Sequence, residues 1–311
     1  MMTDIRTPIL VTGIHRSGTT WIGKMLAASR EVAYVSEPLN VYHRLGVLRV
    51  STPYWYLYIC DENQDTILSA LQDTVGLRYH LGLEIKSLRS VKDVGRMLRD
   101  LSWFIGGRLH KARTLFKDPF AIFSAPWFAQ RLGCQVVVTV RHPLPFVSSL
   151  KRLGWDFNFR DLLVQPLLMR DHLEPFRDEM ERMQVTPQDL IGQASLLWRM
   201  VYAIVDKFRA TNPEFIVVRH EDLSRQPLEG FRDLYSSLEL RFIPKVQKTL
   251  INTSQSSNPE ELSSKQVHAV KLDSQANLTN WRKRLTVAEI TRIRELTADV
   301  AGSFYSENFW E

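Results

Sequence analysis

The sequence contains little cysteine. Cys60 and Cys134 are the two thiols, and they stand far apart without His or Cys neighbours at metal-ligand spacing. This pattern excludes a scaffold held by disulfide bonds and a cysteine-based zinc site, and it agrees with a reducing compartment. We therefore expect a protein that folds without disulfides and works without a metal.

Long hydrophobic runs are also missing. The longest apolar stretch, residues 194–208, is interrupted by Arg199 and Asp206 and is too short to span a bilayer. The first eight residues contain no apolar segment of the kind found in signal peptides. These absences predict a soluble, cytoplasmic protein without a transmembrane segment, and they leave peripheral membrane contact open.

Repeats and Gly/Ser-rich or Pro-rich linkers are absent too, so residues 1–311 are expected to form a single domain. With 44% apolar and 24% charged residues, the composition is that of a globular protein. The net charge of +6 is compatible with an anionic ligand, a nucleic acid or an acidic membrane. No helix-turn-helix, zinc-finger or RNP signature is present, so we expect no nucleic-acid partner.

Short apolar runs rich in β-branched residues predict buried parallel strands. These runs are residues 9–12, 32–35, 114–116, 136–140 and 215–218. Helical patterns separate or follow them at residues 19–29, 91–109, 121–132, 144–153 and 187–210, with a capping box at residues 286–289 before a last helix. The alternation predicts an α/β protein, a three-layer α/β/α sandwich with a central parallel sheet. Ligands bind such sheets at the carboxyl ends of the strands.

The first predicted strand runs into a glycine-containing loop of the pattern G-x-x-x-x-G-T-T, from Gly13 to Thr20. This is the P-loop pattern with Thr19 in place of the usual lysine. Its backbone N–H groups and the following helix N-terminus are suited to an anion. Loss of the lysine, together with Arg16 inside the turn, favours an anionic tail shorter than a triphosphate.

The fourth predicted strand ends in Arg141, where a Mg²⁺-dependent P-loop enzyme usually carries an aspartate. A guanidinium at this position indicates a second anion that is bound directly, without a metal. Ser149, eight residues later, can donate its hydroxyl to the same anion. The two strand ends together predict a ligand with two separate phosphate-like groups.

The motifs at these strand ends resemble those of sulfotransferases that use 3′-phosphoadenosine 5′-phosphosulfate (PAPS). Residues 16–21 (RSGTTW) resemble the family's 5′-phosphosulfate loop, and residues 140–149 (VRHPLPFVSS) resemble its 3′-phosphate segment. Residues 115–121 (LFKDPFA) are similar to tyrosylprotein sulfotransferases and related bacterial enzymes, and residues 217–223 (VVRHEDL) to the family's Y-E-D-L segment. A looser match surrounds Asn280 and Trp281. Bacterial-type enzymes, tyrosylprotein sulfotransferases and carbohydrate sulfotransferases are the relatives that this pattern suggests.

The resemblance implies a P-loop-like sulfotransferase fold and PAPS as the donor co-substrate. It also implies a set of donor-binding residues, with Trp21 as the stacking platform for adenine. These residues are Arg16, Ser17, Gly18, Thr19, Thr20, Trp21, Arg141 and Ser149.

Three residues are the expected catalytic groups of such an enzyme. By the resemblance, Glu37 is the base that accepts the acceptor's hydroxyl proton. Arg16 stabilises charge, since arginine does not readily give up a proton. Lys117 stabilises or protonates the bridging oxygen. His15 and His43 are the competing bases.

Other positions are open at the level of sequence. Asp118 is expected to cap a helix, because a proline follows it. The family places a tyrosine near adenine where this chain has His220. The family's R-K-G triplet is missing, and either residues 282–284 or Lys271 are candidates to replace it. Ser263 and Ser264 are candidates for a late active-site serine.

The acceptor cannot be named from the sequence. Aromatic residues are dense at 54–58 and at 155–159, where they can form a sugar, phenol or lipid pocket or pack against the core. A basic stretch at residues 108–113 can hold an anionic acceptor or form a solvated helix end. A glycan, a glycolipid, a phenol or another small molecule are all possible acceptors.

Two alternatives to a sulfotransferase are a P-loop kinase acting on a small molecule and a non-catalytic nucleotide-binding protein. Thr19 in place of lysine and Arg141 in place of aspartate both count against the kinase. Basic residues that are scattered rather than arranged in a stripe count against a nucleic-acid-binding protein.

Overall fold

The computed structural model of the chain describes residues 7–185, 189–261 and 269–310. The predicted start of the long helix at Thr186 and Pro187 lies outside the described residues, as do the candidate serines Ser263 and Ser264.

A five-stranded parallel sheet forms the centre of the structure, as predicted. Its strands are β1 (Ile9–Gly13), β2 (Val32–Ser36), β3 (Arg113–Lys117), β4 (Gln135–Val140) and β5 (Ile216–Arg219). They lie in the order β2-β3-β1-β4-β5, and Ile9 is paired with Leu115 on one side and with Gln135 on the other. The first four strands contain their predicted apolar runs and extend them by one or two residues, whereas β5 begins and ends one residue later than its predicted run.

Helices cover both faces of this sheet. In chain order they are α1 (Thr19–Leu26), α2 (Leu68–Val75), α3 (Leu81–Ser87), α4 (Val91–Leu109), α5 (Ala125–Leu132), α6 (Pro143–Leu153), α7 (Arg160–Leu163), α8 (Pro166–Leu168), α9 (Arg177–Val185), α10 (Leu190–Thr211), α11 (His220–Arg225), α12 (Pro227–Ser237), α13 (Pro244–Ser254), α14 (Ala276–Thr279) and α15 (Val287–Ala301). Short 3₁₀ segments lie at Gln64–Thr66, Pro119–Ser124, Glu174–Phe176, Asn280–Lys283 and Glu307–Trp310, and a π-helical turn lies at Met169–Leu173.

The two faces of the sheet bury separate hydrophobic clusters, because successive strand residues point to opposite sides. Leu10 and Phe116 pack on the side covered by α5, α6, α10 and α15. Ile9 and Val11 pack on the side covered by α1, α12 and α13. This arrangement confirms the predicted three-layer α/β/α sandwich.

The helix predictions hold with local differences. The first helix ends at Leu26, three residues earlier than predicted. The helix predicted at residues 121–132 is a 3₁₀ segment that continues into α5, because the chain leaves β3 through Asp118 and Pro119. The predicted capping box is present, with Thr286 and Glu289 bonded to each other's backbone.

None of the helices within residues 7–185, 189–261 and 269–310 combines the length and the apolar character needed to cross a bilayer.

Candidate active site

The order of the strands determines which side chains meet at the carboxyl edge of the sheet. Along this edge lie Glu37 after β2, Lys117 at the end of β3, the loop at residues 13–18 after β1, Arg141 after β4 and His220 after β5. The glycine loop is therefore flanked by a lysine on one side and an arginine on the other. Lys117 and Arg141 lie on either side of the glycine loop, although each is about 100 or more residues away from it in sequence.

The glycine loop is packed so closely that side chains are excluded at two positions. Gly13 has a φ of 147°, and a Cβ atom there would lie 2.4 Å from the Thr139 Oγ1. Gly18 has a φ of 100°, and a Cβ atom there would lie 2.4 Å from the His220 Nδ1. Both conformations favour glycine. The loop then enters α1, whose first N–H groups have no helical partner and face the same region.

Arg16 extends from this loop toward α6. Its backbone is in the left-handed region, with a φ of 67°. Its Nε donates to the Ser149 Oγ at 3.1 Å, and its guanidinium carbon lies 5.9 Å from the centre of the Trp155 ring. Burial, followed by the charges of Arg141 and Arg152, lowers the pKa of Arg16 to about 10. A side chain whose charge is disfavoured by its surroundings gains the most from a bound anion.

Arg141 is nearly buried and is fixed by both its backbone and its side chain. Its Nη1 donates to the Arg16 carbonyl at 2.8 Å, and its own carbonyl accepts the Trp198 indole N–H at 2.8 Å. Its Nη2 lies 3.5 Å from the Asn277 Oδ1, whereas its buried Nε has no partner among the described residues. Burial lowers the pKa of this guanidinium. Arg141 thus keeps a donor available beside Arg16.

Residues 282–284 and Lys271 are the candidates to replace the R-K-G triplet, and one of them lies near Arg141 and Ser149. The Arg284 Nη1 donates to the Ser148 Oγ at 3.2 Å, next to the predicted ligand Ser149. Lys283 is largely exposed, and the Arg282 guanidinium lies over the Trp281 ring at 4.8 Å. Arg284 is therefore the member of residues 282–284 that can assist Arg141. The other candidate, Lys271, is exposed.

His220 is buried against the glycine loop and is held by Asn277. The Asn277 Oδ1 faces the Arg141 guanidinium, so its amide nitrogen faces the His220 Nε2 at 3.2 Å. Since this amide donates, Nε2 accepts, and the ring hydrogen is carried by Nδ1, which has no partner in the described part of the chain. Burial, with smaller contributions from Arg141 and Arg16, lowers the pKa of His220 to about 3. The ring is neutral at ordinary pH and offers one N–H at the loop.

Trp21 lies in the first turns of α1 and packs edge-to-face on two rings. The ring centres are 5.8 Å apart for His220 and 5.1 Å apart for Phe231. The indole nitrogen of Trp21 is buried and has no partner among the described residues. Trp21 and His220 therefore form one aromatic wall beside the glycine loop.

Glu37 and Lys117 form an ion pair at the ends of β2 and β3. Lys117 is 1% exposed, while the Glu37 side chain is 15% exposed. The Glu37 Oε2 also accepts from the Asn40 amide at 2.8 Å. Glu37, like Arg16, has a left-handed backbone, with a φ of 50°. This turn directs the carboxylate back over the sheet edge, next to Lys117.

Asp118, the neighbour of Lys117, has the predicted capping role. It accepts the N–H groups of Leu39 at 2.6 Å and Phe120 at 2.9 Å, one on each carboxylate oxygen. It is fully buried, and burial raises its pKa to about 7. Asp118 joins the segment after β2 to the start of the 3₁₀ turn at Pro119–Ser124.

The two histidines that compete with Glu37 as bases differ in their surroundings. Both ring nitrogens of His43 lie near backbone carbonyls, at 2.8 Å from Asn40 and 3.1 Å from Leu48. His15 lies 2.6 Å from the Tyr56 hydroxyl, and burial followed by the charge of Arg16 lowers its pKa to about 4. His43 therefore serves the structure of its loop, whereas His15 lies in the site.

A cavity of about 510 Å³ opens beside Arg16 and Glu37. The other side chains in its wall are of two kinds, aromatic and polar. They are His15, Thr19, Thr20, Asn40, Trp55, Pro119, Phe120, Trp155, Asp156, Phe157 and Asn158. A pocket with apolar walls and a few polar groups at one end is typical of a small-molecule site.

The two aromatic segments, residues 54–58 and 155–159, each place some side chains in the wall of this cavity and others in the core. Trp55, Trp155 and Phe157 line the cavity, whereas Tyr56 and Phe159 are fully buried. The basic stretch at residues 108–113 lies elsewhere. Arg113 opens β3 and donates to the carbonyls of residues 7 and 238, and the residues before it end α4 at the surface.

Sequence reasoning missed three residues of the site. Asn277 bridges Arg141 and His220, Asn40 binds Glu37, and Arg152 lies close enough to influence the pKa of Arg16. None of them stands directly after a predicted strand, which was the signal used to find the others. Among the described residues, no three His, Cys, Asp or Glu side chains gather as a metal-binding group.

Comparison with known proteins identifies the family of the chain. A family model described as "Sulfotransferase family" matches residues 8–244, which is most of the chain. The chain belongs to the sulfotransferase family. The match includes all five strands and the strand-end residues from Gly13 to His220, so the family resemblance of the sequence motifs is confirmed.

Solved structures that resemble the chain include two sulfotransferases and a retinol dehydratase. The sulfotransferase domain of an olefin synthase from Synechococcus PCC 7002 is 17% identical, with a TM-score of 0.50 and 98% of each chain covered. A mouse sulfotransferase complexed with PAP is 11% identical, with a TM-score of 0.43, 98% of this chain covered and 86% of that chain. Retinol dehydratase in complex with retinol and PAP is 13% identical, with a TM-score of 0.41, 96% of this chain covered and 82% of that chain. A search of curated proteins found no match.

Proposed function

We propose that this sulfotransferase moves the sulfuryl group of PAPS onto a hydroxyl of an acceptor bound in the cavity beside Glu37. The observation that carries the proposal is that Glu37 and Arg16 line one cavity, while Arg141 lies on the far side of the glycine loop. One edge of the sheet therefore carries a carboxylate that can accept a proton and cations that can bind two anionic groups.

The residues around the loop fit the donor. The glycine loop and Arg16 suit the 5′-phosphosulfate, and Arg141, Ser149 and Arg284 suit the 3′-phosphate. Buried N–H groups of Arg141, His220 and Trp21 support this fit, because they have no hydrogen-bond partner among the described residues and can donate to a ligand. An unsatisfied buried donor costs about 1–3 kcal/mol, which a bound nucleotide would recover. Ser17 and Thr19 to Thr20 complete the cradle.

The chain's own groups supply the proton transfer. Glu37 would take the proton of the acceptor hydroxyl as its oxygen forms a bond to sulfur. The bond between sulfur and the bridging phosphate oxygen breaks, and PAP leaves with that electron pair. A sulfate ester and PAP are the products. The ion pair with Lys117 holds the carboxylate at the sheet edge, beside the acceptor cavity.

Lys117 and Arg16 would stabilise the departing oxygen. Lys117 is nearly buried beside the glycine loop, where water does not screen its charge. Arg16 contributes charge only, since a guanidinium keeps its proton even at the lowered pKa of about 10. Lys117 is therefore the group proposed to give a proton to the bridging oxygen.

The cavity wall supports an acceptor that has an apolar part. Trp55, Phe120, Trp155 and Phe157 present aromatic surfaces near Glu37. Such walls support a hydroxyl on an aromatic or apolar skeleton, such as a phenol or an amphiphile. Asn40 and Asn158 offer amide groups to a second polar atom of the acceptor.

We further propose that the chain works as one unit in the cytoplasm. Core residues of the first apolar cluster come from both ends of the chain, from Leu10 to Trp310, which supports a single domain. Both cysteines are free, in agreement with a reducing compartment.

The test is transfer of radiolabelled sulfate from PAPS to a panel of phenols, apolar alcohols, glycolipids and sugars, with PAP-induced thermal stabilisation measured in parallel. We expect labelled product with phenols or apolar alcohols and a higher melting temperature with PAP. Absence of both transfer and stabilisation would overturn the proposal. Stabilisation without transfer to any acceptor would support the non-catalytic alternative, and phosphate transfer from ATP–Mg²⁺ would support the kinase.

A further inference from the structure

Exposed apolar side chains are concentrated in one part of the molecule. Sixteen large hydrophobic residues are exposed in the described part of the chain, and nine of them lie between residues 81 and 109. These nine are Leu81, Leu83, Ile85, Val91, Val94, Leu98, Trp103, Ile105 and Leu109. We call the surface formed by residues 81–112 the α3–α4 surface.

On α4 these residues form a stripe along the helix. Val91, Leu98, Ile105 and Leu109 follow at intervals of seven, seven and four residues, which places them on one face. Their exposed fractions are 89%, 57%, 50% and 77%. The side of α4 that packs on the protein carries Phe104, which is buried. The apolar stripe is therefore a second face, turned toward solvent.

The same surface accounts for most of the chain's net positive charge. Residues 81–112 contain seven Lys and Arg against three Asp and Glu, a formal charge of +4 out of the chain's +6. All seven basic residues are exposed: Lys86, Arg89, Lys92, Arg96, Arg99, Arg108 and Lys111. The three acidic residues are paired, Glu84 and Asp93 with Arg44 and Asp100 with Arg99.

A cationic cavity borders the opposite edge of α4. It has a volume of about 650 Å³ and lies between the end of α1, β2 and α4. Lys24, Arg30, His110 and Lys245 line it, and the described lining residues include no acid. Trp103, which is 40% exposed, lies at its rim. Tryptophan, like tyrosine, is enriched at the boundary between lipid and water.

We propose that the α3–α4 surface docks on an anionic lipid bilayer, with the stripe of α4 among the acyl chains and the basic residues at the headgroups. This combination matches what a bilayer offers and other partners do not. A nucleic acid would use the cations but not the apolar stripe, and an apolar protein partner would not need the cations. The proposal is independent of the reaction proposed above.

Docking would place the acceptor cavity near the lipid. Arg44, in the segment that follows Glu37, bonds to Glu84 of α3 and to Asp93 of α4. Tyr42, two residues earlier, is 83% exposed and contacts the ring of Trp55 in the cavity wall. The mouth of the cavity is thus joined directly to the α3–α4 surface.

The test is sedimentation of the whole chain with vesicles of phosphatidylcholine, with and without phosphatidylglycerol. We expect the protein to pellet with the anionic vesicles only, and to be released as salt is raised. The variant Leu98→Glu/Ile105→Glu should lose at least about tenfold in affinity for the anionic vesicles, because two charges would enter the acyl region. These positions are exposed, so the unfolding midpoint should stay unchanged.

The matched control is Ile251→Glu/Val287→Glu, which adds the same two charges at positions that are 47% and 80% exposed on α13 and α15. It should bind vesicles like the parent protein. Equal binding to both types of vesicle, or equal binding by both variants, would overturn the proposal. A dimer in solution that the Leu98→Glu/Ile105→Glu variant dissociates would assign the surface to a second copy of the chain. Sulfate transfer to a water-soluble acceptor should be unchanged in both variants, so failure here is distinct from failure of the proposed reaction.

Discussion

Glu37 and Lys117 are joined twice, once through their side chains and once through their backbones. The Lys117 ammonium binds the Glu37 carboxylate, and the Glu37 N–H donates to the Lys117 carbonyl at 2.7 Å. The second bond continues the pairing of β2 with β3 by one residue, so the sheet itself fixes the distance between the two charged groups. The proposed base and the proposed acid are therefore positioned by the same pair of strands.

Replacing Glu37 by glutamine should reduce turnover by about 10²–10⁴-fold, because an amide cannot accept the acceptor's proton. The affinity for PAP should change little, since Glu37 faces the acceptor cavity. Transfer rates and PAP titrations check the two statements separately. Turnover close to that of the parent enzyme would exclude Glu37 as the base and favour His15.

The variants Lys117→Met and Glu37→Gln should not combine independently. Loss of Lys117 removes charge stabilisation and also leaves the Glu37 carboxylate without its ion-pair partner. We expect the double variant to be less impaired than the product of the two single effects, as is usual for residues that act together. Turnover of all three variants, measured at saturating PAPS, gives the coupling. Fully multiplicative effects would contradict it.

Arg284 and Arg282 provide a matched pair of substitutions. Changing Arg284 to alanine should raise the Kd for PAP by about tenfold or more, because a hydrogen bond to a charged group is lost beside Ser148. Changing Arg282 to alanine should leave the Kd unchanged, since this side chain lies over Trp281. Calorimetric titration with PAP measures both. Equal losses would indicate a general effect of net charge.

Gly18 and Gly95 also form a contrast. Alanine at position 18 would bring a Cβ within 2.4 Å of His220 in a conformation that side chains rarely adopt, so PAP binding and stability should both fall. Alanine at position 95 meets nothing within 4 Å and should stabilise α4 by up to about 1 kcal/mol. Thermal unfolding with and without PAP checks both substitutions. A Gly18→Ala variant that binds PAP normally would show that the loop has room for a side chain at position 18.

His220 predicts a dependence of stability on pH. Its pKa is lowered from 6.5 to about 3 by burial, so between these values the unfolded chain binds more protons than the folded one. Stability should therefore fall as the pH drops below about 6.5. From pH 7 to pH 5, the parent should lose about 2 kcal/mol more than a His220→Gln variant. Urea unfolding at both pH values measures this difference, and equal losses would mean that His220 is protonated in the folded state.

The sequence predicted the site well wherever a buried strand led directly into a glycine loop or a charged side chain. Gly13, Lys117 and Arg141 could be assigned to one edge because a parallel sheet brings its carboxyl ends together. The order of the strands could not be predicted, since the pattern of apolar residues in a strand does not identify its neighbours. That order decides that Lys117, and not Glu37, lies next to the glycine loop.

The remaining part of the site depends on contacts between distant segments. Asn277 contacts Arg141, and Arg284 contacts Ser148, although the two residues of each pair are 136 positions apart in the sequence. Both partners come from short turns near the C-terminus, which have no periodic pattern to mark them. The split of the aromatic segments has a similar cause. Trp55 and Tyr56 are adjacent in sequence, and only their packing sends one to the cavity and the other to the core.

The left-handed backbones of Arg16 and Glu37 have a consequence for directed evolution. Glycine adopts this conformation without strain and asparagine tolerates it, whereas a charged side chain there costs stability. A library screened for thermal resistance alone should therefore enrich glycine and asparagine at positions 16 and 37. With the roles proposed for Arg16 and Glu37, these stabilised variants should lose turnover. Efforts to raise the thermal stability of this protein should keep positions 16 and 37 constant or select their variants by turnover as well.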